Sequence, residues 1–227
     1  TEEADGSVRI NGQVQVGAHI RFREEDVREG EQILCAGTVL RPAEIGMLAA
    51  FGKAVVPVFR RPRVAILSTG DELLEPGEPL AAGKIINSNS YALAAALREV
   101  GAEPVILGVA RDNSESHLAR LREGLKADAL ITSAGVSMGD RDLVRDILQE
   151  LGAKQVFWGV DIKPGKPTAF SLLGDKPIFS LPGNPVSTMI TFEELVRPAL
   201  LKMMGCRQVL RSLVSARLSE PVSKKSG

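Results

Sequence analysis

From residue 63 onward the apolar positions of this chain follow two alternating rhythms. Short β-prone runs fall at 64–67, 104–109, 129–132, 155–160, 168–173 and 177–181. Between them, apolar residues recur at helical spacing over 89–100, 114–125 and 142–151, and a long helical stretch closes the series at 185–204. Strands and amphipathic helices in alternation predict an α/β fold with a doubly wound, mainly parallel sheet. Such sheets bind ligands outside the carboxyl ends of their strands. The loops after the strands are therefore where chemistry is expected.

The first 60 residues have a different pattern. Positions 7–16 alternate around Asn11-Gly12, a hairpin signal. Strand-like runs at 33–34 and 55–59 flank Arg41-Pro42-Ala43-Glu44 and a short helical pattern ending near Phe51. Arg60-Arg61-Pro62 marks a boundary, and 209–220 alternates again, as at the start of another β module. There is no internal repeat.

Composition narrows the class. The chain has 227 residues, 44% hydrophobic and 25% charged, enough to bury a sizeable core. Lys+Arg and Asp+Glu each number 28, and zero net charge argues against nucleic-acid binding by bulk electrostatics. Cys35 and Cys206 lie far apart without metal-ligand spacing, so a reducing, cytoplasmic setting is expected. No apolar run reaches membrane-spanning length and no signal peptide is present. A start at Thr1 without Met, and an end just after a strand-like run, lead us to expect a piece of a longer protein.

Five loops carry candidate chemistry. Ser133-Ala134-Gly135-Val136-Ser137-Met138-Gly139-Asp140-Arg141-Asp142 joins a strand to a helix. Its glycines let backbone N–H groups face an anion, and its carboxylates suit a hard cation. An ordinary βα turn with a capped helix is the plainer alternative. After the first strand, Thr69 and Gly70 offer donors, and Asp71 and Glu72 offer carboxylates. Asp112 sits at another strand end, before Asn113 or Ser114 as a cap, and Ser88 or Asn89 caps the helix at 89. Lys163-Pro164-Gly165-Lys166-Pro167 holds two cations on a stiff loop, which suits a phosphate or a tetrahedral oxyanion. Pro182-Gly183-Asn184-Pro185-Val186-Ser187 opens the last helix, with Asn184 as N-cap, Pro185 at the first helical position, and free N–H groups for a further anion site. Gly77 to Lys84 fails the P-loop spacing, and no dinucleotide fingerprint or Ser-His-Asp set can be built. His19 and His117 are expected at the surface.

Taken together and in order, the loops at 68–73, 133–142, 163–167 and 181–187 resemble the MoeA / gephyrin E-domain family of molybdopterin molybdenumtransferases, and 21–27 resembles that family's basic-acidic run. The resemblance covers essentially the whole chain. It implies insertion of molybdate into adenylylated molybdopterin with Mg²⁺, releasing AMP and molybdenum cofactor. It implies roles for Glu72, Asp112, Asp140 and Asp142 in holding Mg²⁺ and positioning the nucleophile, with Asp26 joining from another lobe or a partner subunit. Lys163, Lys166 and Ser137 would hold molybdate. Thr69, Gly70, Asp71, Ser133, Gly135, Gly139, Pro182, Gly183, Asn184, Pro185 and Ser187 would line the cofactor site. It also implies a homodimer served by a MogA-like adenylyltransferase. The domains would be 1–30 (part of a β-rich domain), 31–60 (part of an elongated dimerisation domain), 61–208 (the MogA-like molybdopterin-binding α/β domain) and 209–227 (the start of a C-terminal β-barrel). Family members extend further at both ends, so this stretch is expected to fold around its α/β domain while lacking some site residues. Three alternatives remain open: a MogA-like adenylyltransferase, a CinA-like nucleotide hydrolase, and a non-enzymatic, gephyrin-like scaffold.

Overall fold

The computed structural model describes residues 2–4, 6–9, 12–134 and 143–221. They form two compact units, Thr1–Gly52 and Lys53–Gly227.

In the first unit, β1 (Glu2–Ala4) pairs antiparallel with β2 (Ser7–Arg9), Ala4 opposite Ser7. The hairpin therefore turns earlier than the Asn11-Gly12 signal. Asp5-Gly6 carries the same turn chemistry in sequence, and Gly6 takes φ 72°, where glycine is not strained. Residues 12–16 form no strand. Helix α1 (Pro42–Ala50) begins with proline in its first turn, and the Glu44 carboxylate accepts from the Arg41 N–H at 2.9 Å. Hydrogen bonding from the Arg41 side chain is the main reason the Glu44 carboxyl is lowered to about 2.

The second unit contains β3 (Arg63–Thr69), β4 (Leu73–Leu74), β5 (Ile85–Ile86), α2 (Asn89–Val100), β6 (Glu103–Ala110), α3 (Ser114–Gly124), β7 (Ala129–Ser133), α4 (Leu143–Glu150), β8 (Lys154–Trp158), β9 (Ala169–Leu173), β10 (Lys176–Leu181), α5 (Pro185–Thr191), a π-helical stretch (Phe192–Val196) and α6 (Arg197–Met203). The main sheet runs β6-β3-β7-β10-β9-β8. The predicted doubly wound sheet is present: β6, β3, β7 and β10 are parallel, and β9 runs against both of its neighbours. The small parallel pair β4–β5 was not predicted.

Two cores follow from the strand alternation. Val64, Ile66, Ile131, Phe179 and Leu181 pack with Leu93 and Leu97 of α2, and with Phe192, Val196 and Leu200. Ala65, Leu67, Leu130 and Ile178 pack on the other face with Leu121 of α3 and with Val144, Ile147 and Leu148 of α4. The sheet is thus covered by helices on both faces. The last helix is broken where the sequence predicts one long helix. Pro198 has no N–H for the carbonyl four residues back, and the chain widens into the π-helical stretch ahead of it. Residues 55–59 and 209–220 form no strand among the described residues. Their alternation finds no neighbouring strand to pair with, and Leu213 is 99% exposed.

Asp128 ties down the amino-terminal edge of this sheet. Its carboxylate accepts from the Arg63 N–H at 2.8 Å and from the Arg60 guanidinium. The hydrogen bonds from Arg60 are the main cause lowering its carboxyl to about 2. A depressed carboxyl stabilises the fold above its unfolded pKa of about 3.9, and that contribution is lost as pH falls through about 2. Asp128→Asn should therefore melt below wild type at neutral pH, with the gap closing between about pH 4 and about pH 2. A pH-independent gap in thermal melts would contradict this assignment.

Candidate functional site

The predicted loops gather on one edge of the sheet. The carboxyl ends of β3, β6, β7 and β10 share that edge because the four strands are parallel. The lysine loop joins them through register. Ser180, near the end of β10, lies opposite Ala169 at the start of β9, and Trp158 at the end of β8 pairs with the same Ala169. The connection 159–168 thus belongs to this edge.

Two carboxylates meet at one end of this edge, after β3 and the outer strand β6. The Asp71 N–H donates to Asp112 Oδ2 at 3.3 Å, and the Asp112 N–H donates to Asp71 Oδ1 at 3.2 Å. Each strand-end turn is held by the carboxylate of the other, and both residues are exposed. Two cations that the sequence reading left without a role converge on Asp71. Lys84 Nζ donates to the Asp71 carbonyl at 2.7 Å, and Arg111 donates to the Asp71 and Leu73 carbonyls at 3.3 and 3.0 Å. Arg111 directly follows a strand, which was the available signal. Lys84 was visible only as the lysine of a failed P-loop. The Glu72 carboxylate folds back over Gly70, close enough that a Cβ there would lie 2.3 Å from it.

Several donors expected to face an anion are already engaged. The Gly70 N–H donates to the Ala110 carbonyl at 3.2 Å. At the start of α5, Asn184 is the N-cap and Pro185 stands in the first turn, as predicted. That cap also fills the site: the Asn184 side chain accepts from the Val186 and Ser187 N–H groups at 3.1 and 3.4 Å, and Pro185 has none to offer. The expected free N–H anion site at this helix is therefore corrected, because the helix caps itself. Pro182 and Ser187 are buried beside Gly183, which is exposed. Asn113 caps α3 by accepting from the Ser116 N–H at 2.8 Å.

Asn89 is not the cap considered for α2. The N-cap position is Ser88, which makes no side-chain capping bond. Asn89 Nδ2 instead donates to Ser133 Oγ at 2.9 Å and to the Gly183 carbonyl at 2.8 Å. One side chain thereby ties the end of β7 to the loop after β10. Ser133 and Thr69 are buried at their strand ends. His117 is also corrected. It is 2% exposed rather than at the surface, and neither ring nitrogen has a partner among the described residues. Burial pushes its pKa below the ordinary value, against the pull of Asp112 and Asp71. Helix α3 is polar over most of its length, so no apolar face marked His117 as buried.

Lys163 and Lys166 are exposed, and neither ammonium has a partner among the described residues. They differ in this from Lys84 and Arg111. Their loop is fixed through Gly165, which is buried against Thr191 and Ile162, and by the Thr168 hydroxyl donating to the Gly165 carbonyl at 2.6 Å. Asp26 belongs to the first unit, where Arg21 pairs with its exposed carboxylate. Gly135, Ser137, Gly139, Asp140 and Asp142 lie outside the described residues. Among the described residues no group of three or more His, Cys, Asp or Glu could enclose a metal ion.

Fold and edge together define a doubly wound α/β domain of the ligand-binding kind. Comparison with known proteins supplies the family. The family described as a probable molybdopterin binding domain matches residues 65–202, and the MoeA N-terminal region (domain I and II) matches residues 1–52. The chain belongs to the MoeA / gephyrin E-domain family. Molybdopterin molybdenumtransferase of Haemophilus influenzae is 38% identical over 92% of this chain and 52% of its own length. The protein of the same name from Nostoc sp. is 40% identical over 90% of this chain and 48% of its own. The chain spans about half the length of the curated relatives it matches. A solved MoeA protein from Pyrococcus horikoshii aligns with a TM-score of 0.67 at 32% identity, covering 82% of this chain and 45% of that one.

Proposed function

We propose that this chain serves molybdenum cofactor biosynthesis by inserting molybdate into adenylylated molybdopterin with release of AMP. One observation carries the reading above the others: two lysines without a partner among the described residues share a sheet edge with a pair of strand-end carboxylates. The names of the relatives support the same chemistry.

In this reading Lys163 and Lys166 bind the molybdate oxyanion as point charges, helped by Ser137. Thr69, Gly70, Asp71, Ser133, Gly135, Gly139, Pro182, Gly183, Asn184, Pro185 and Ser187 form the wall against the pterin and its phosphate. Asn89 acts as a positioning residue for two of those loops. Mg²⁺ typically takes one or two carboxylates, with phosphate and water completing its shell. The exposed carboxylates of Asp71 and Asp112 fit such a sparse donor set, and Asp112, Glu72, Asp140 and Asp142 would hold the ion. Bound there, it would offset negative charge on the phosphate linkage. Asp112, Glu72, Asp142 and Asp26 would also orient the attacking group. Buried His117 lies close enough to Asp71 and Asp112 to feel their charge.

The reading extends to a cytoplasmic homodimer that receives its substrate from a MogA-like adenylyltransferase. It takes 1–30 as β-rich, 31–60 as part of a dimerising domain, 61–208 as the molybdopterin-binding domain, and 209–227 as the start of a β-barrel. The test is to incubate the protein with adenylylated molybdopterin and Mg²⁺, with and without molybdate. AMP release that depends on molybdate is expected. Tight binding of the adenylylated compound without molybdate-dependent AMP release would overturn the reading.

A further inference from the structure

Between β3 and α2 the chain makes an excursion, residues 70–88, with Asp71 and Glu72 at its start and Lys84 near its end. Its regular structure is the β4–β5 pair, two residues in each strand, which stands apart from the main sheet. An isolated two-stranded pair is marginal in water, so its backbone bonds alone do not hold it in place. Those bonds nonetheless set where the carboxylates lie. The Ile85 N–H donates to the Glu72 carbonyl at 2.9 Å, and the Asn87 N–H donates to the Leu74 carbonyl at 2.8 Å.

The excursion is fastened through one buried amide. Asn87 is 2% exposed, and its carboxamide uses every hydrogen-bonding position it has. Its Oδ1 accepts from Ser68 Oγ at 3.1 Å and from the Ser90 N–H at 3.3 Å. Its Nδ2 donates to Ser90 Oγ at 3.1 Å and to Glu75 Oε1 at 3.2 Å. Exchanging the oxygen and the nitrogen would set an NH₂ against the Ser90 N–H, so the polarity is fixed. Ser68 belongs to β3 and Ser90 to the first turn of α2, and both are buried. Glu75 directly follows β4, and its other oxygen accepts from the Tyr91 hydroxyl at 2.9 Å. A chain of side chains thus runs from β3 and α2, through Asn87, to the residue after β4.

We propose that Asn87, acting through Glu75, is a positioning residue for the carboxylates of Asp71 and Glu72. The clamp fixes the end of β4, and pairing with β5 then fixes the backbone of Glu72. Lys84 closes the turn by donating to the Asp71 carbonyl at 2.7 Å. The effect of Asn87 on turnover rests on the transferase reading. Its effect on the excursion does not.

Asn87→Asp keeps the acceptor for Ser68 and Ser90 but turns the donor that faces Glu75 into a second carboxylate oxygen. Repulsion should free the excursion. Amide hydrogen exchange over 72–87 should quicken at least about tenfold, with the protection of β7 unchanged. In the assay above, kcat for AMP release should fall at least about tenfold while KM for molybdate stays within about twofold, because the lysine loop is untouched. Asn87→Asp/Glu75→Gln sets an NH₂ against the new carboxylate and should recover most of both losses. Glu75→Ala leaves the bonds of Asn87 to Ser68 and Ser90 intact, so it keeps the buried part folded, and it should quicken the same amides. The proposal is overturned if exchange over 72–87 is unchanged in Glu75→Ala, if Glu75→Gln restores nothing to Asn87→Asp, or if exchange quickens while kcat holds. If wild type releases no AMP, the transferase reading fails, and hydrogen exchange still decides the clamp.

Discussion

Replacing both Lys163 and Lys166 by alanine is expected to weaken molybdate binding about a hundredfold. Each charge-assisted contact contributes about 1.5–3 kcal/mol, and exposure of both side chains favours the lower figure, about tenfold for each lysine. Lys84 and Arg111 should not compensate, because both are committed to backbone carbonyls of the β3–β4 turn. Stability should barely change, since neither ammonium is bonded to a described residue. Isothermal titration with molybdate beside a thermal melt separates the two effects. Unchanged molybdate affinity in a normally folded double variant would remove these lysines from the oxyanion site. Weakening should be larger at low ionic strength, where less salt screens the two exposed charges.

The sheet was legible because its signals are redundant. A buried parallel strand such as β7 is apolar on both faces, α2 repeats Leu93, Ala94 and Leu97 at helical spacing, and Gly101 and Asn113 punctuate the helices. The edge strands were harder. Residues 55–59 and 209–220 carry the right alternation, but alternation only permits a strand, and hydrogen bonds to a neighbour make one. The first hairpin chose Asp5-Gly6 over Asn11-Gly12, two signals of the same chemistry that a local pattern cannot rank. At the site, residue types pointed to the right loops. What the sequence could not show was which polar groups were already taken. Asn184 looked like a cap and like part of an anion site, and it cannot serve both at once while its oxygen holds the Val186 and Ser187 N–H groups. Asn89 looked like a cap, and its true partners lie 44 and 94 residues away. Long-range side-chain bonds of this kind leave no local periodicity.

The second large effect is expected at Gly165, which has no charge and no polar side chain. Its φ is 121°, a region that residues with a Cβ rarely enter. A Cβ there would lie 2.6 Å from Thr191 Cγ2 and 2.9 Å from Ile162 Cδ1. Thr191 cannot turn its methyl away cheaply, because its hydroxyl donates to the Ser187 and Thr188 carbonyls at 2.9 and 3.1 Å, and the residue is fully buried. Gly165→Ala therefore combines backbone strain, about 1–3 kcal/mol, with overpacking of similar size, about 1–3 kcal/mol. The loop can relieve both only by lifting off α5, and that moves Lys163 and Lys166 with it. Loss of molybdate affinity should accompany the loss of stability, although no charge has been removed. The double variant Gly165→Ala/Thr191→Ser deletes the obstructing methyl and keeps the hydroxyl. It should regain the packing part of the loss, while the part due to φ remains. Urea unfolding read beside molybdate titration distinguishes these contributions. If Gly165→Ala is as stable as wild type, the loop is not held by this contact. If it is destabilised and Thr191→Ser restores nothing, backbone strain alone accounts for the glycine.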